Sequence, residues 1–254
     1  MPIQKDSNYT APVFYPTEDY SIVKYLDISK FLSLLQKEQV FFCRLDKFED
    51  KLEGSLPEVN IGYYKKWFKE IAGPAGMMKN EIDEYVKDRL DFSEKFKKLN
   101  CISCWNKNVS ESYALWKIYS DMNQGIMIKS SINRIIESFE NSKELIQISE
   151  VKYIDHSKDY IPAGNLNYPI IHKNIAYNYE QEVRLIHKVE MKNGLTHDWE
   201  SEPNVNGRYI KTDLDKLIDE IVVSPYSPNW FYEIIMDIMN KYNLHKTISY
   251  SSIK

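Results

Sequence analysis

Glycine is scarce in this chain, and its scarcity excludes several common site types. Only 8 of the 254 residues are glycine, which argues against a glycine-rich phosphate-binding loop. No GxGxxG, GxxxxGK[ST] or GxSxG motif occurs in the sequence. The sequence therefore gives no signal for a dinucleotide-binding Rossmann domain, a P-loop enzyme or an α/β-hydrolase.

Cysteines and long apolar runs are also few. Three cysteines and a polar stretch from Met1 to Thr10, without an apolar signal segment, are typical of a reduced, cytosolic protein. No run reaches the roughly 18 apolar residues needed to span a bilayer. We expect a cytoplasmic protein with no membrane partner.

The overall composition is that of a folded domain. Apolar residues make up 43% and charged residues 28% of the chain, and the formal net charge is -4, so wholesale disorder is excluded. A negative net charge argues against a protein that coats nucleic acid through bulk charge, although it is compatible with a local basic groove.

The order of the predicted elements favours an α+β fold. Strands and helices are intermixed without regular βαβ spacing, which predicts a mixed or antiparallel central sheet with flanking helices. We expect a leader over residues 1–19 and a single domain over 20–254. Within that domain, 57–99 predicts an inserted helical pair that borders the cleft, broken at Gly73-Pro74-Ala75-Gly76.

Three of the predicted elements have definite bounds. Apolar spacing predicts a helix over Ile28–Lys37 with Asp27 as its N-cap. A second helix is predicted over Ser110–Ser120 with Ser110 as its cap. Leu145–Ile154 predicts one long strand.

The cysteines and histidines do not predict a metal site. Cys101 and Cys104 form a lone CxxC, which cannot fill a tetrahedral zinc site by itself. On a strand, residues three apart point to opposite faces, which would separate the two sulfur atoms. The five histidines show no HxH, HxxxH or HExxH spacing. We therefore assign no metal ligands.

Two acidic clusters could carry chemistry. The second cluster along the chain contains Glu180 and Glu182, which share one face if a strand begins there, and Arg184 follows them. Such a pair can do acid–base work, hold a metal or bond ribose hydroxyls; otherwise it is a solvated strand start with a salt bridge. The first cluster adds Asp50 and Glu53 as further candidates.

An aromatic pair lies on one predicted helix. Trp116 and Tyr119 are three residues apart and share a helix face. This spacing is typical of core packing, and it would also suit a wall on which a nucleobase or nicotinamide ring stacks.

In combination, these motifs resemble the bacterial family called domain of unknown function 2971. Its members show a Lys-Tyr strand end, a Phe-Asn-Asp-Pro-x-Glu loop, a Met-Trp-x-x-Tyr helix before a Gly-led strand, and a Tyr-Glu-x-Glu-x-Arg strand. The resemblance covers roughly residues 20–250. In the loop, Glu49 and Lys51 stand where the family has Asn and Pro, which puts the turn there in question. The counterparts here are Lys24-Tyr25, Phe48–Glu53, Leu115–Tyr119 with Gly125, and Tyr179–Arg184.

The layout is also similar, more distantly, to ADP-ribosyltransferase-like folds. Those proteins have an early aromatic strand and, late in the chain, a Glu-Val-x-Val strand, matched here by Tyr25 and by Glu182-Val183-Arg184-Leu185. The analogy implies transfer of ADP-ribose from NAD, the co-substrate, through an oxocarbenium-like state that a carboxylate stabilises. Glu182 is the first candidate for that role and Glu180 the second.

The same analogy implies a set of ligand contacts. A fold without a glycine loop needs side-chain cations for a pyrophosphate, and Lys24 or Arg184 could supply one. Tyr25 or Tyr119 could stack on nicotinamide.

Three hypotheses about function follow. The first is an NAD-using ADP-ribosyltransferase or glycohydrolase that acts as a toxin or phage-defence effector on a nucleic acid, a protein or water. The second is a non-catalytic module that binds a nucleotide or a partner in the same cleft. The third is a metal-dependent hydrolase or nuclease. This hypothesis requires the two acidic clusters to converge, and the sequence shows no lysine of the kind that often accompanies such carboxylates. The carboxylates concerned are Asp50, Glu53, Glu180 and Glu182. The oligomeric state stays open.

Overall fold

The fold described below is that of a computed structural model. It describes residues 13–253 except 72–73, 75–78, 108–109, 163 and 192–195. Most of the predicted break at 73–76, and most of the predicted leader, lie outside the described residues.

The described chain alternates strands and helices. Its strands are β1 Ser21–Asp27, β2 Gln39–Arg44, β3 Asn100–Lys107, β4 Gly125–Ser131, β5 Gln147–Glu150, β6 Lys152–Ile154, β7 His172–Asn174, β8 Glu182–Lys188, β9 Gly207–Lys211, β10 Glu220–Val223 and β11 Thr247–Tyr250. Its helices are α1 Ile28–Lys37, α2 Glu58–Ile71, α3 Lys79–Lys97, α4 Tyr113–Tyr119, α5 Ile132–Ser138, α6 Tyr168–Ile171, α7 Leu214–Leu217 and α8 Asn229–Lys241.

A mixed sheet of nine strands organises the molecule. Seven of them run in the order β11-β10-β4-β1-β3-β2-β9, and β8 lies between β3 and β5. All neighbouring pairs are antiparallel except β10 and β11. A separate parallel pair is formed by β6 and β7. The predicted α+β class with a mixed central sheet is therefore confirmed.

The sheet is split along one side of β3. Near the end of β3, Val23 of β1 pairs with Asn106. Near its beginning, Cys43 of β2 pairs with Ile102. Between these two points, residues 103–105 pair only with β8 among the described strands. The strands β1 and β2 thus diverge and leave a gap in the sheet.

Strand alternation places two small apolar clusters on the face opposite the main core. The main core includes Ile22, Leu26, Cys101 and Trp105 with residues of α1, α5 and α8. The alternate residues of β1 and β3 face the other way. A second cluster on that face contains Val23, Tyr25, Leu115, Trp116, Met127 and Val222. A third contains Leu45, Ile102, Ile170, Ile171 and Ile186.

Two predicted boundaries are wrong, and each has a local cause. The helix predicted from Ser110 begins at Tyr113, because the Ser112 hydroxyl accepts the Leu115 N–H and acts as the cap. The long strand predicted over Leu145–Ile154 divides at Val151. There the Val151 N–H donates to the carbonyl of Glu182, so β5 joins the main sheet and β6 joins β7.

Other predictions hold closely. Helix α1 has the predicted bounds, and Asp27 caps it by accepting the Lys30 N–H at 2.8 Å. The predicted helical pair is present as α2 and α3. No described residue of 57–99 lines the large cavity described below, so the expectation that this pair borders the cleft is wrong for that cavity.

None of the helices in the described part of the chain is long and apolar enough to cross a membrane.

Trp116 is a packing residue, and its removal should destabilise the fold. Its side chain is fully buried, and its ring meets Tyr25 edge-on with centroids 4.9 Å apart. We expect Trp116→Ala to lower the free energy of unfolding by about 3–5 kcal/mol, as other large core truncations do. Denaturant unfolding measures this, with the exposed Trp230→Ala as the matched control. Equal midpoints for the two variants would contradict the packing role.

Candidate functional site at the split in the sheet

A large cavity opens where the sheet is split. Its volume is about 900 Å³, which is within the size range of small-molecule sites. Residues of β1, β2 and β3 line it beside the gap. Further lining comes from the loop 48–53, from the end of α4 and from a short 3-10 helix over Ile175–Glu180. The gap in backbone pairing therefore becomes a potential binding site.

Five charged side chains form a buried ion cluster at one end of the cavity: Glu53, Glu180, Glu182, Lys173 and Arg184. Lys173 Nζ lies 2.5 Å from a Glu180 oxygen, 3.1 Å from Glu53 and 3.7 Å from Glu182. Three carboxylates share two cations, so the cluster carries a formal charge of -1. A solvated strand start is therefore the wrong interpretation of Glu180 and Glu182.

Arg184 holds two of the carboxylates in place. Its Nη2 donates to Glu182 at 2.7 Å and to Glu53 at 2.8 Å, and its Nε also donates to Glu182. Nη1 donates to the carbonyl of Ile170 at 2.7 Å. The side chain is 0% exposed. Arg184 has no surface to offer a pyrophosphate, so that predicted contact is wrong, whereas the orientation of Glu182 by Arg184 is present.

The cluster keeps Glu182 and Lys173 charged. Burial alone would raise the pKa of the Glu182 carboxyl, but the charges of Arg184 and Lys173 outweigh burial and hold that pKa below its usual value. Burial alone would lower the pKa of Lys173, but the carboxylates of Glu182 and Glu53 raise it. Glu182 is therefore an anion at neutral pH although it is buried.

A left-handed residue brings Glu180 and Glu182 together. Glu180 ends the 3-10 helix rather than lying on the strand, which corrects the prediction of a shared strand face. Gln181 has φ 44°, and this turn directs both neighbouring carboxylates to Lys173. Glu182 then begins β8, and its N–H donates to the Tyr153 hydroxyl at 2.7 Å. Since β8 lies between β3 and β5, Glu182 is not at a sheet edge.

A tight turn in the loop 48–53 positions Glu53 in the ion cluster. The Asp50 carboxylate accepts the Leu52 N–H at 2.9 Å, and the Asp50 carbonyl accepts the Glu53 N–H. This Asx turn replaces the one that Asn and Pro would have fixed. Gly54 follows with φ 70°, and a Cβ there would lie 2.6 Å from a Leu45 methyl carbon. Only glycine suits both the conformation and the space.

Lys24 lies at the gap itself. Its Nζ donates to the Cys104 carbonyl at 2.6 Å and to the Ser103 hydroxyl at 3.2 Å, so it satisfies an acceptor that the split leaves without a strand partner. No carboxylate of the described residues is within ion-pair distance of Lys24. Burial lowers the pKa of its ammonium group. A bound anion would oppose this effect of burial and favour the protonated form of Lys24.

The two predicted stacking tyrosines differ in environment. Tyr25 lies against Trp116, is 6% exposed and accepts the Ser112 N–H through its hydroxyl. Tyr119 is 39% exposed at the cavity and donates its hydroxyl to Glu180 at 2.7 Å. Burial and this bond raise the pKa of Tyr119. Tyr177 and Tyr179 extend the aromatic surface around Tyr119.

The acidic clusters converge only in part. Glu53 meets Glu180 and Glu182, whereas Asp50 lines the cavity outside the ion cluster. Contrary to the expectation that no lysine accompanies these carboxylates, Lys173 lies among Glu53, Glu180 and Glu182. In the described chain no group of three or more His, Cys, Asp or Glu side chains could hold a metal ion. The carboxylates of Glu53, Glu180 and Glu182 form ion pairs with Lys173 and Arg184 instead.

The CxxC side chains separate as predicted for a strand. Cys101 lies in the main core, and Cys104 faces the cavity side. The Cys104 thiol hydrogen-bonds to Glu182, while burial and then the charge of Glu182 raise the pKa of the thiol. Cys104 is therefore a neutral neighbour of Glu182.

Sequence reasoning missed Lys173 and the aromatic pair Phe41 and Tyr209, all of which line the cavity. Lys173 lies in a strand of three residues that has no periodic signal. Phe41 and Tyr209 are cross-strand partners on β2 and β9, which are far apart in sequence. β2 alternates half-buried and buried residues, and Phe41 is on the half-buried face; an aromatic residue at that position of the strand could have marked it.

Comparison with known families supports the motif-based resemblance. Residues 115–185 match the family described as "Protein of unknown function (DUF2971)". This confirms the resemblance over a segment that contains Trp116, Tyr119, Lys173 and Glu182. The family description assigns no activity.

Two further likenesses are weak. The chain is 28% identical over 85 residues to the large ribosomal subunit protein uL11 of Metamycoplasma arthritidis (strain 158L3-1), covering 34% of this chain. The chain thus spans 58% of the length of that ribosomal protein. The structure "Thermus sp. 2.9 DarT in complex with carba-NAD+" aligns with a TM-score of 0.37 and 13% identity, covering 94% of this chain and 97% of that one. That overall likeness is too low to carry an argument about fold or activity.

Proposed function

We propose that this chain binds NAD in the cavity at the split and breaks the bond between nicotinamide and ribose. The ADP-ribose group then passes to an acceptor or to water. In this step the C–N bond breaks and its electron pair leaves with the nicotinamide nitrogen. The acceptor forms the new bond to the same ribose carbon and gives up a proton.

The observation that carries the proposal is the state and position of Glu182. Its carboxylate is ionised, lies in the cavity lining and is fixed by Arg184. Breaking a glycosidic bond builds positive charge on the sugar. A carboxylate that is already oriented and desolvated stabilises that charge without reorganisation. The cluster's excess negative charge favours the same transition state.

Lys24 supplies a site for the pyrophosphate. It lines the cavity, and its ammonium group donates to two neutral acceptors, the Cys104 carbonyl and the Ser103 hydroxyl. Phosphate oxygens bonded to a lysine form charge-assisted hydrogen bonds, which are the stronger kind. Tyr119, with Tyr177 and Tyr179 beside it, offers aromatic surface for a ring near Glu182.

The acceptor and the biological role belong to the same proposal. The resemblance to ADP-ribosyltransferase-like folds favours a toxin or phage-defence effector, with a nucleic acid, a protein or water as the acceptor. A non-catalytic nucleotide-binding module would use the same cavity. It differs from the enzyme in one respect, which is that bound NAD would stay intact.

Incubation with NAD tests the proposal directly. We expect the wild-type protein to bind NAD and to release nicotinamide, detected by chromatography, with added nucleic acid and protein as acceptors. Lys24→Met should weaken NAD binding about tenfold or more, because bonds to a charged group contribute roughly 1.5–3 kcal/mol.

The matched control for Lys24→Met is Lys30→Met. Lys30 also lines the cavity, but its ammonium group is exposed and pairs with Asp27 at 2.9 Å. It should leave NAD affinity nearly unchanged. Bound but intact NAD under every condition would favour the binding module, and no NAD binding at all would reject both.

A further inference from the structure

A second group of side chains lines the cavity away from the ion cluster. Phe41 of β2 and Tyr209 of β9 are directly opposite each other in the sheet, with ring centroids 4.9 Å apart. Both rings are half-buried. They provide an aromatic wall of the kind on which a planar heterocycle packs, and the Lys37 ammonium group lies 4.8 Å from the centroid of the Tyr209 ring.

Two polar groups accompany this wall. Gln39 precedes Phe41 by two residues, so its side chain lies on the same face of β2. Gln39 lines the cavity, and its amide has no hydrogen-bond partner among the described residues. Ser33 of α1 also lines the cavity, and its hydroxyl lies 3.3 Å from the Tyr209 hydroxyl.

These groups suit one kind of ring in particular. A glutamine amide has one acceptor and one donor side by side, and this pair matches the N6 amino group and N7 of adenine. Guanine and hypoxanthine place an acceptor oxygen where adenine has its amino group, so the glutamine carbonyl would face another acceptor. An amide beside an aromatic wall therefore selects adenine among purines.

The position within the cavity fits a two-ring ligand. Lys24 lies at the gap, the ion cluster is contributed by the loop 48–53, β7, the 3-10 helix and β8, and Tyr119 is contributed by α4. The wall of Phe41 and Tyr209 is contributed by β2 and β9, on the other side of the split from β1. One cavity thus holds two aromatic surfaces and a lysine, which complement the two rings and the pyrophosphate of a dinucleotide.

We infer that Gln39, Phe41 and Tyr209 form the adenine-recognition end of this cavity and determine its preference for adenine nucleotides. The inference rests on the proposed function for its choice of a dinucleotide. It concerns binding at this end alone, so it can be tested with AMP, which contains no nicotinamide.

The experiment measures dissociation constants for AMP and inosine monophosphate by calorimetry. We expect the wild type to bind AMP more tightly than inosine monophosphate by about fivefold or more. Gln39→Leu should weaken AMP binding about tenfold and remove the preference between the two nucleotides, since a bidentate amide–adenine contact discriminates by that order. Tyr209→Leu should weaken both nucleotides alike.

One variant serves as the control. Gln36→Leu makes the same change at an exposed position of α1 that does not line the cavity, and it should bind AMP like the wild type. Equal AMP affinity in Gln39→Leu and Gln36→Leu, or no AMP binding by the wild type, would overturn the inference.

The two proposals fail in different ways. A protein that cleaves NAD while Gln39→Leu and wild type bind AMP equally refutes only the adenine end. A protein that binds AMP through Gln39 and leaves NAD intact refutes only the catalytic proposal.

Discussion

Arg184→Met is expected to destabilise the protein by about 3–5 kcal/mol, the usual consequence of removing one partner from a buried ion pair. The substitution leaves three buried carboxylates, Glu53 among them, with Lys173 as their one remaining cation. It also removes the donor to the Ile170 carbonyl. For a chain of this size such a loss lowers the melting temperature by roughly 10 °C or more.

Calorimetric melting of Arg184→Met and Arg134→Met side by side checks this expectation. Arg134 pairs with Asp219 at 2.7 Å, but that pair is exposed and should contribute only about 0–1 kcal/mol. Arg184→Lys keeps the charge and loses the forked geometry, so it should fall between the wild type and Arg184→Met. Equal melting temperatures for the two methionine variants would show that the ion cluster does not stabilise the fold.

Glu182→Gln is expected to abolish most NAD turnover while the protein stays folded. The amide keeps a carbonyl acceptor for Arg184 and takes one negative charge from a cluster that has one in excess. Folding should therefore suffer far less than in Arg184→Met. Removing one group that stabilises transition-state charge typically lowers kcat by about a hundredfold or more.

Parallel measurement of NAD consumption and melting temperature separates catalysis from stability. Glu49→Gln is the matched control, because Glu49 lines the same cavity but is exposed and outside the ion cluster. It should retain nearly full turnover. If Glu182→Gln and wild type consumed NAD at the same rate, Glu182 would have no part in the chemistry.

The sequence predicted the regular elements well because their apolar spacing is strong. Helix α1 and its Asp27 cap follow directly from periodicity and capping chemistry. The boundary near Val151 could not be predicted, since a hydrogen bond to Glu182, distant in the chain, decides where β5 ends. Pairing between remote strands is a property of the whole fold rather than of a short window.

The sequence allowed the acidic residues of the candidate site to be predicted. Glu180, Glu182 and Glu53 were recognised from their motifs, but the environment of Arg184 was not. A spacing of two residues indicates a shared face, and it cannot show that the arginine is enclosed on all sides. Lys173 lies in a segment without amphipathic pattern, so nothing local distinguished it from an exposed lysine.

The split along β3 has a mechanical consequence. On one side, the strands β1, β4, β10 and β11 form a wing that meets β3 through two residue pairs. On the other, β2 and β9 form a wing that also meets β3 through two pairs. Because each wing has so few backbone bonds to β3, the width of the gap depends mainly on side-chain packing, including that of α1 against both β1 and β2. A molecule seated between them would act as a brace that stiffens the sheet.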